Sequence, residues 1–280
     1  MTGTPPVPRH AGLSVIRNRE VARGTFLLTL DAGEETVPVD PGQFFMVGFP
    51  GVRDPLLPRP FAAFDRESQR LEILYRRVGM GTDLLSRVRP GSVLQVFGPL
   101  GRGYRMEGPH DTPALVVSGG IGLASVYLLI KRLLASNRPV TLLHGVRSSE
   151  ELFPLEPAVG GHPSLVLRVA TEDGGQGYPG NVHDLWIDLQ RREPGFAARH
   201  AAAFLCGPRP MLRAFAPELR ALGVSAQVSL EANMACGYGV CQGCAVPGWG
   251  GPEGVAGRYR KVCTDGPVFL AEEVDWGAMG

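Results

Sequence analysis

The sequence lacks what would tie it to nucleic acid or to a lipid bilayer. Its 28 Lys and Arg stand against 27 Asp and Glu, a net charge of +1 over 280 residues. It has no basic run, acidic tail or Lys/Arg stripe with interleaved aromatics, so nothing points to a nucleic-acid partner. No apolar run is long enough and unbroken. The most apolar stretch, 114–134, is interrupted by Gly119, Gly120 and Gly122 and carries Lys131 and Arg132, so it reads as a buried strand, turn and helix. The first ten residues are polar and proline-rich with no apolar segment, which is not a secretory signal. Cysteine is scarce as well: five residues, an odd number, four of them in the last fifth of the chain. Disulfide frameworks are usually even and spread out, so this crowding points to metal binding in a reducing compartment, and a cytoplasmic location is expected.

Glycine and proline are plentiful: 38 and 25 residues, with 44% hydrophobic content. That favours turns and backbone-lined ligand sites over a helical bundle, in a chain long enough for two compact domains or one and an appendage. Residues 1–107 alternate short apolar runs with turn signals, with candidate strands at 13–19, 25–31, 43–49, 60–64, 71–78 and 92–97 and a short helix at 82–88. Six such strands predict a small antiparallel barrel. In residues 108–222 the period changes. Strands at 114–118, 140–145, 164–170 and 203–206 alternate with helices at 123–134, 181–191 and 210–222, which predicts a doubly wound parallel sheet. Residues 223–280 hold a strand at 225–231, a cysteine- and glycine-rich loop, a Gly/Pro segment at 248–257 and a last strand at 268–270. A unit that small needs a metal or a neighbouring domain to hold it.

The cysteines Cys236, Cys241, Cys244 and Cys263 follow the pattern C-x4-C-x2-C…C. Two irons sharing two sulfides need four thiolates, two on each, and this spacing is the plant-type ferredoxin arrangement. Gly237, Gly239 and Gly243 lie between the ligands, where small residues let backbone N–H groups approach the sulfurs and raise the reduction potential. The competing reading is structural zinc, which more often uses two short knuckles; only Cys241 and Cys244 make one here.

Two shorter motifs lie in the barrel region. Arg59-Pro60-Phe61-Ala62 offers an arginine to a pyrophosphate and a proline that commits the next residues to an extended path. Leu74-Tyr75-Arg76 leads on to Gly79, Gly81 and Thr82, with an aromatic for a flat ring or a ribityl chain and a hydroxyl suited to phosphate. Each has a plain alternative: a strand aromatic, a solvated arginine, a turn. In the second region Gly119, Gly120 and Gly122 sit between a strand and a helix, either as a pyrophosphate-binding turn or as a packing turn. Cys206-Gly207-Pro208 ends another strand, which places Cys206 beside a nicotinamide ring or else leaves it a small buried core residue. Arg147 reads as a solvated loop residue, with a 2′-phosphate as the other possibility.

Taken in order, RPxx, YRxxGxGT, GGIG, CGP and C-x4-C-x2-C…C resemble the ferredoxin reductase superfamily. More narrowly they resemble the electron-transfer subunits of the NAD-dependent, class B dihydroorotate dehydrogenases, above all in Ser229-Leu230-Glu231-Ala232-Asn233-Met234-Ala235-Cys236-Gly237 through Cys244. Arg76 to Thr82 and Thr171-Glu172-Asp173-Gly174 add to the likeness, which spans nearly the whole chain. It implies an FAD-binding barrel lined by Arg59, Pro60, Phe61, Ala62, Leu74, Tyr75, Arg76, Gly81 and Thr82. It implies NAD at Gly119, Gly120, Gly122, Cys206, Gly207 and Pro208, and a [2Fe–2S] cluster on the four cysteines. It also implies a partner, an FMN-containing dihydroorotate-oxidising catalytic subunit, in a heterotetramer of two of each; no site for the orotate chemistry is found on this chain. Three departures stand out: Ala62 where the motif has serine, Ser125 where proline follows GGIGxA, and a long gap from Cys244 to Cys263. Two alternatives remain open: an electron-transfer subunit of a sulfite reductase, hydrogenase or NADH-dependent ferredoxin reductase, and a zinc-stapled interaction module without enzymatic activity.

Overall fold

The structure is a computed structural model that describes residues 8–33, 37–106, 111–155, 159, 161–248 and 259–279. The expected Gly/Pro segment falls almost wholly outside the described residues, as does the 107/108 boundary.

The first sheet holds β1 (Arg9–Ala22), β2 (Thr25–Asp31), β3 (Phe44–Gly48), β4 (Arg59–Ala62), β5 (Asp65–Glu67), β6 (Arg70–Arg76) and β7 (Val93–Leu100), with α1 (Met80–Ser86) between the last two. Its order is β4-β3-β7-β1-β2-β6-β5, antiparallel throughout. The strand expected at 60–64 ends at Ala62, and after a break at Ala63 and Phe64 a further strand, β5, begins at Asp65. The break closes the barrel: Ala63 N–H donates to Gln43 O at 2.9 Å on one edge, and Phe64 N–H donates to Glu72 O at 3.0 Å on the other. Two neighbouring amides thereby satisfy both edges of the sheet, which removes its exposed edge.

The second sheet is built from β8 (Ala114–Gly119), β9 (Val140–Val146), β10 (Leu165–Thr171), β11 (Tyr178–Pro179), β12 (Ala202–Cys206), β13 (Ser225–Ser229) and, after the short pair β14 (Ala245–Pro247) and β15 (Tyr259–Lys261), β16 (Val268–Leu270). Its order is β11-β10-β9-β8-β12-β13-β16, parallel except for β16. Of the strands of residues 223–280, expected to belong to a separate unit, β13 and β16 extend the nucleotide sheet, because β13 pairs with β12 and β16 with β13, while among the described residues β14 and β15 pair only with each other. The chain winds outward from β8 in one direction and from β12 in the other. The switch point lies between those two strands, where ligands of open parallel sheets collect.

Helices α2 (Leu123–Ala135), α3 (Val182–Arg192) and α4 (Arg209–Ala221) cover the sheet. Asn181 starts α3 by accepting the N–H groups of His183 (2.9 Å) and Asp184 (3.1 Å). Helix α2 is buried on nearly every side because it packs on the sheet and on the barrel at once. Across the second contact Phe64 stacks on Tyr127 with centroids 4.0 Å apart, and Lys131 pairs with Asp65 at 2.6 Å and with Glu67. No helix among the described residues is long and apolar enough to cross a membrane.

Candidate functional site

Where the barrel meets the switch point, a cavity of about 450 Å³ opens. Arg59, Pro60, Phe61 and Ala62 of β4, Leu74, Tyr75 and Arg76 of β6, and Thr82 of α1 lie on its wall. Gly81 stands behind them: a Cβ there would sit 3.0 Å from Arg59 Nε, so the missing side chain leaves room for the guanidinium. Two of these groups are engaged differently from what the motif suggests. The Tyr75 hydroxyl donates to Asn18 Oδ1 at 3.0 Å, and its ring lies against Phe26 and Phe61, so Tyr75 offers the cavity an aromatic wall. Thr82 Oγ accepts the N–H groups of Val78 (2.9 Å) and Gly79 (3.1 Å) and thus caps α1.

The opposite wall comes from the nucleotide sheet, and sequence spacing alone gave no sign of it. Ile121, Ala124, Ser125, Cys206 and the run Ser229 to Met234 line it. Cys206 thus faces this cavity, and burial, then the nearby Glu231 carboxylate, pushes its thiol up to about 12. It is a neutral thiol. Ser125, the departure from proline, donates to Ser229 Oγ at 3.0 Å. Apolar Phe44, Leu74 and Ile121 with two arginines fit a flat ring carrying a phosphate tail.

A second groove, of about 730 Å³, runs over the strand ends and shares Arg76, Val78, Ile121 and Glu231 with the cavity. Gly119, Gly120 and Pro208 line it. Gly122 and Gly207 do not; they pack the turn. A Cβ on Gly122 would fall 2.2 Å from Cys206 O, and one on Gly207 would fall 2.7 Å from Met211 Cε and 2.9 Å from Gly119 N. Gly120, at φ +53° with open space about it, faces the groove. Beneath the turn, Ser118 Oγ and His144 Nδ1 lie 2.8 Å apart, both buried. Burial outweighs a backbone hydrogen bond with Ser118 and lowers His144 to about 4, leaving it neutral. Arg76 pairs with Glu151 across the domain junction.

The cysteine loop leaves β13 and lies against the barrel. Gly237 (φ +81°) would put a Cβ 2.6 Å from Met46 Cγ, and Tyr238 sits edge-on to Phe97 at 5.9 Å. The thiols come two and two. Cys244 and Cys263 are buried with their sulfurs 3.2 Å apart, while Cys236 and Cys241 stand nearer the surface, with Cys241 N–H donating to Cys236 Sγ at 3.5 Å. Burial acts upward on Cys236, but amide donors from Cys241, Tyr238 and Val240 prevail and lower it to about 6. Burial and the adjacent Cys244 thiol push Cys263 up to about 12. All five cysteines are free thiols. Among the described residues no three His, Cys, Asp or Glu side chains converge as they would about a single ion. Two thiol pairs beside a nest of amides suit two irons better than one zinc.

Residues 231–275 match the model of the iron–sulfur cluster binding domain of dihydroorotate dehydrogenase B. The electron transfer subunit of dihydroorotate dehydrogenase B (NAD(+)) from Geobacillus kaustophilus is 38% identical over 94% of this chain and 97% of its own. The chain belongs to that family of electron transfer subunits. The dihydroorotate dehydrogenase B subunit from Bacillus caldolyticus is 37% identical over the same shares. Among solved structures, a chain of an NADH-dependent reduced ferredoxin–NADP oxidoreductase, studied for flavin-based electron bifurcation, superposes with a TM-score of 0.79 at 28% identity, covering 100% of this chain and 93% of that one. The ferredoxin reductase of carbazole 1,9a-dioxygenase shares the fold, with a TM-score of 0.65 at 21% identity over 78% of this chain and 67% of its own. Membership of the dihydroorotate dehydrogenase B family disfavours the alternative complexes and the zinc-stapled module.

Proposed function

We propose that this chain is the electron-transfer subunit of an NAD-dependent dihydroorotate dehydrogenase, carrying electrons from an FMN catalytic subunit through a [2Fe–2S] cluster and FAD to NAD+ in pyrimidine biosynthesis. The observation that carries the reading is adjacency. One cavity shares four wall residues with the nucleotide groove on one side and runs, through Asn233 and Met234, to within two residues of Cys236 on the other. When bound, FAD supplies exchange between two-electron hydride chemistry and single electrons, and the cluster relays electrons one at a time.

The protein's part is to bind and to orient. Arg59 and Arg76 would hold phosphate, Tyr75 and Phe61 would wall a flat ring, and the apolar Leu74 and Ile121 would keep water from it. Cys206, buried and neutral, packs at the junction with the groove without drawing a proton from it. Cys236, Cys241, Cys244 and Cys263 hold the cluster, with the amides about Cys236 stabilising thiolate. The exposed Tyr238 and Val240 of this loop turn toward the catalytic subunit in a complex of two copies of each. Five free thiols suit a reducing cytoplasm.

Anaerobic co-expression with the catalytic subunit tests this. One flavin adenine dinucleotide and two irons with two sulfides per chain are expected, together with bleaching of the flavin by NADH. A preparation holding zinc and no iron, or one without FAD, sinks the proposal.

A further inference from the structure

The groove has a far end that the mechanism does not use. A dinucleotide whose pyrophosphate lies at Gly119 and Gly120, with its reactive ring toward the flavin cavity, has its adenosine half on the other side of β8. There the sheet continues through β9 to β10. Arg147, at the end of β9, and Glu172, at the end of β10, line the groove at that place. The Glu172 N–H donates to Val146 O at 3.2 Å, which fixes the residue beside the end of β9.

The neighbouring carboxylate has another task. Asp173 Oδ2 accepts Ser149 N–H at 3.0 Å and faces Ser149 Oγ at 3.4 Å, and Oδ1 accepts Gly175 N–H at 3.0 Å. These donors, the Gly175 amide foremost, hold the Asp173 carboxyl far below the usual carboxylate range, so it is a permanent anion. The loop is closed to a side chain at Gly175, where a Cβ would lie 2.4 Å from Ser149 Oγ. The amide and hydroxyl of Ser149, which would serve a bound phosphate beside Arg147, are therefore already taken by a carboxylate from the same chain.

We propose that Glu172 is the coenzyme-selecting residue of this groove. It accepts a hydrogen bond from the adenosine ribose 2′-hydroxyl of NAD(H) and, with Asp173 behind it, repels the 2′-phosphate of NADP(H). A carboxylate is acceptor-only and suits a hydroxyl donor. A phosphate monoester brings about −1.5 to −2 charges to the same spot, against which Arg147 supplies one. The proposal rests on the reading of the groove as the nicotinamide nucleotide site.

The test is calorimetric titration of the flavin-loaded complex with ADP-ribose and with its 2′-phosphorylated form, two ligands that bind without redox chemistry. The wild type is expected to bind ADP-ribose at least about tenfold more tightly, the scale of one hydrogen bond to a charged group. Glu172→Gln is expected to bring the ratio close to one by gaining affinity for the 2′-phosphate, a gain that a misfolded variant does not give. Arg147→Ala is expected to leave the wild-type preference for ADP-ribose in place. Binding of ADP-ribose by the wild type with an unchanged ratio in Glu172→Gln overturns the assignment of Glu172 alone. Failure of the wild type to bind ADP-ribose at all overturns the nucleotide groove and this assignment together.

Discussion

His144 is shut away from solvent beside a serine. It is 2% exposed, and Ser118 is its hydrogen-bond partner beneath the glycine turn. In the unfolded chain its imidazole titrates near 6.5; in the folded protein burial lowers it to about 4. Between those values the unfolded chain takes up a proton that the folded one refuses, so folded stability is complete above pH 7 and is lost as the pH falls toward 4. The size is about 3 kcal/mol at most. Urea unfolding at pH 7.5 and pH 5 captures about 2 kcal/mol of it, and His144→Gln is expected to flatten the difference. An equally steep pH dependence in that variant would place the proton elsewhere. At this scale the sequence was informative about chemistry and silent about pairing. Four cysteines announce their ligands by spacing. Ser125 and Glu231, more than a hundred residues apart, share a wall only because β12 lies between β8 and β13, and no local pattern reveals that.

Among the elements, the turn from β8 into α2 is the tightest. Gly122→Ala puts a methyl carbon 2.2 Å from a backbone carbonyl oxygen, which cannot rotate away. A loss of about 1–3 kcal/mol is expected from forcing that contact apart, with loss of ADP-ribose affinity because the CGP loop must move. Denaturation and titration of the same sample report both; a variant of native stability and affinity would contradict the packing described. Phe64→Ala, which empties the stack against Tyr127, is expected to cost about 3–5 kcal/mol, read from the urea midpoint. Strand and helix positions were legible because apolar period and turn residues are local. The early end of the strand expected at 60–64 and the start of β5 were not legible, since the break at Ala63 and Phe64 is set by partners at Gln43 and Glu72, far along the chain. The assignment of β13 and β16 to the nucleotide sheet escaped for the same reason: short strands carry no signal of which neighbour they pair with.

At the scale of the whole molecule, the barrel, the sheet and the cysteine loop share packed cores, and between Cys236 and Cys241 the loop leaves Tyr238 and Val240 exposed. Val240 is 72% exposed and Tyr238 55%, and both lie where a partner exchanging single electrons with the cluster has to approach. Val240→Arg is expected to weaken association with the catalytic subunit at least about tenfold, the scale of losing a buried apolar anchor, while FAD content stays unchanged. Analytical ultracentrifugation of the two subunits decides it, and undiminished association would direct attention to another face. Removal of iron by a chelator under reducing conditions is expected to abolish the visible cluster absorption but leave the cooperative unfolding transition of the two sheets in place.

That last expectation follows from where the cysteine segment is rooted. It departs from the end of β13 and comes back as β16, the strand lying directly beside it. The whole redox appendage is thus a detour between adjacent staves, and a bare turn in its place would leave the ladder intact. A reductase of this architecture can therefore acquire or discard its one-electron outlet by lengthening or shortening a single connection beyond Met234, so long as Leu230 to Met234 stay in place to wall the flavin cavity.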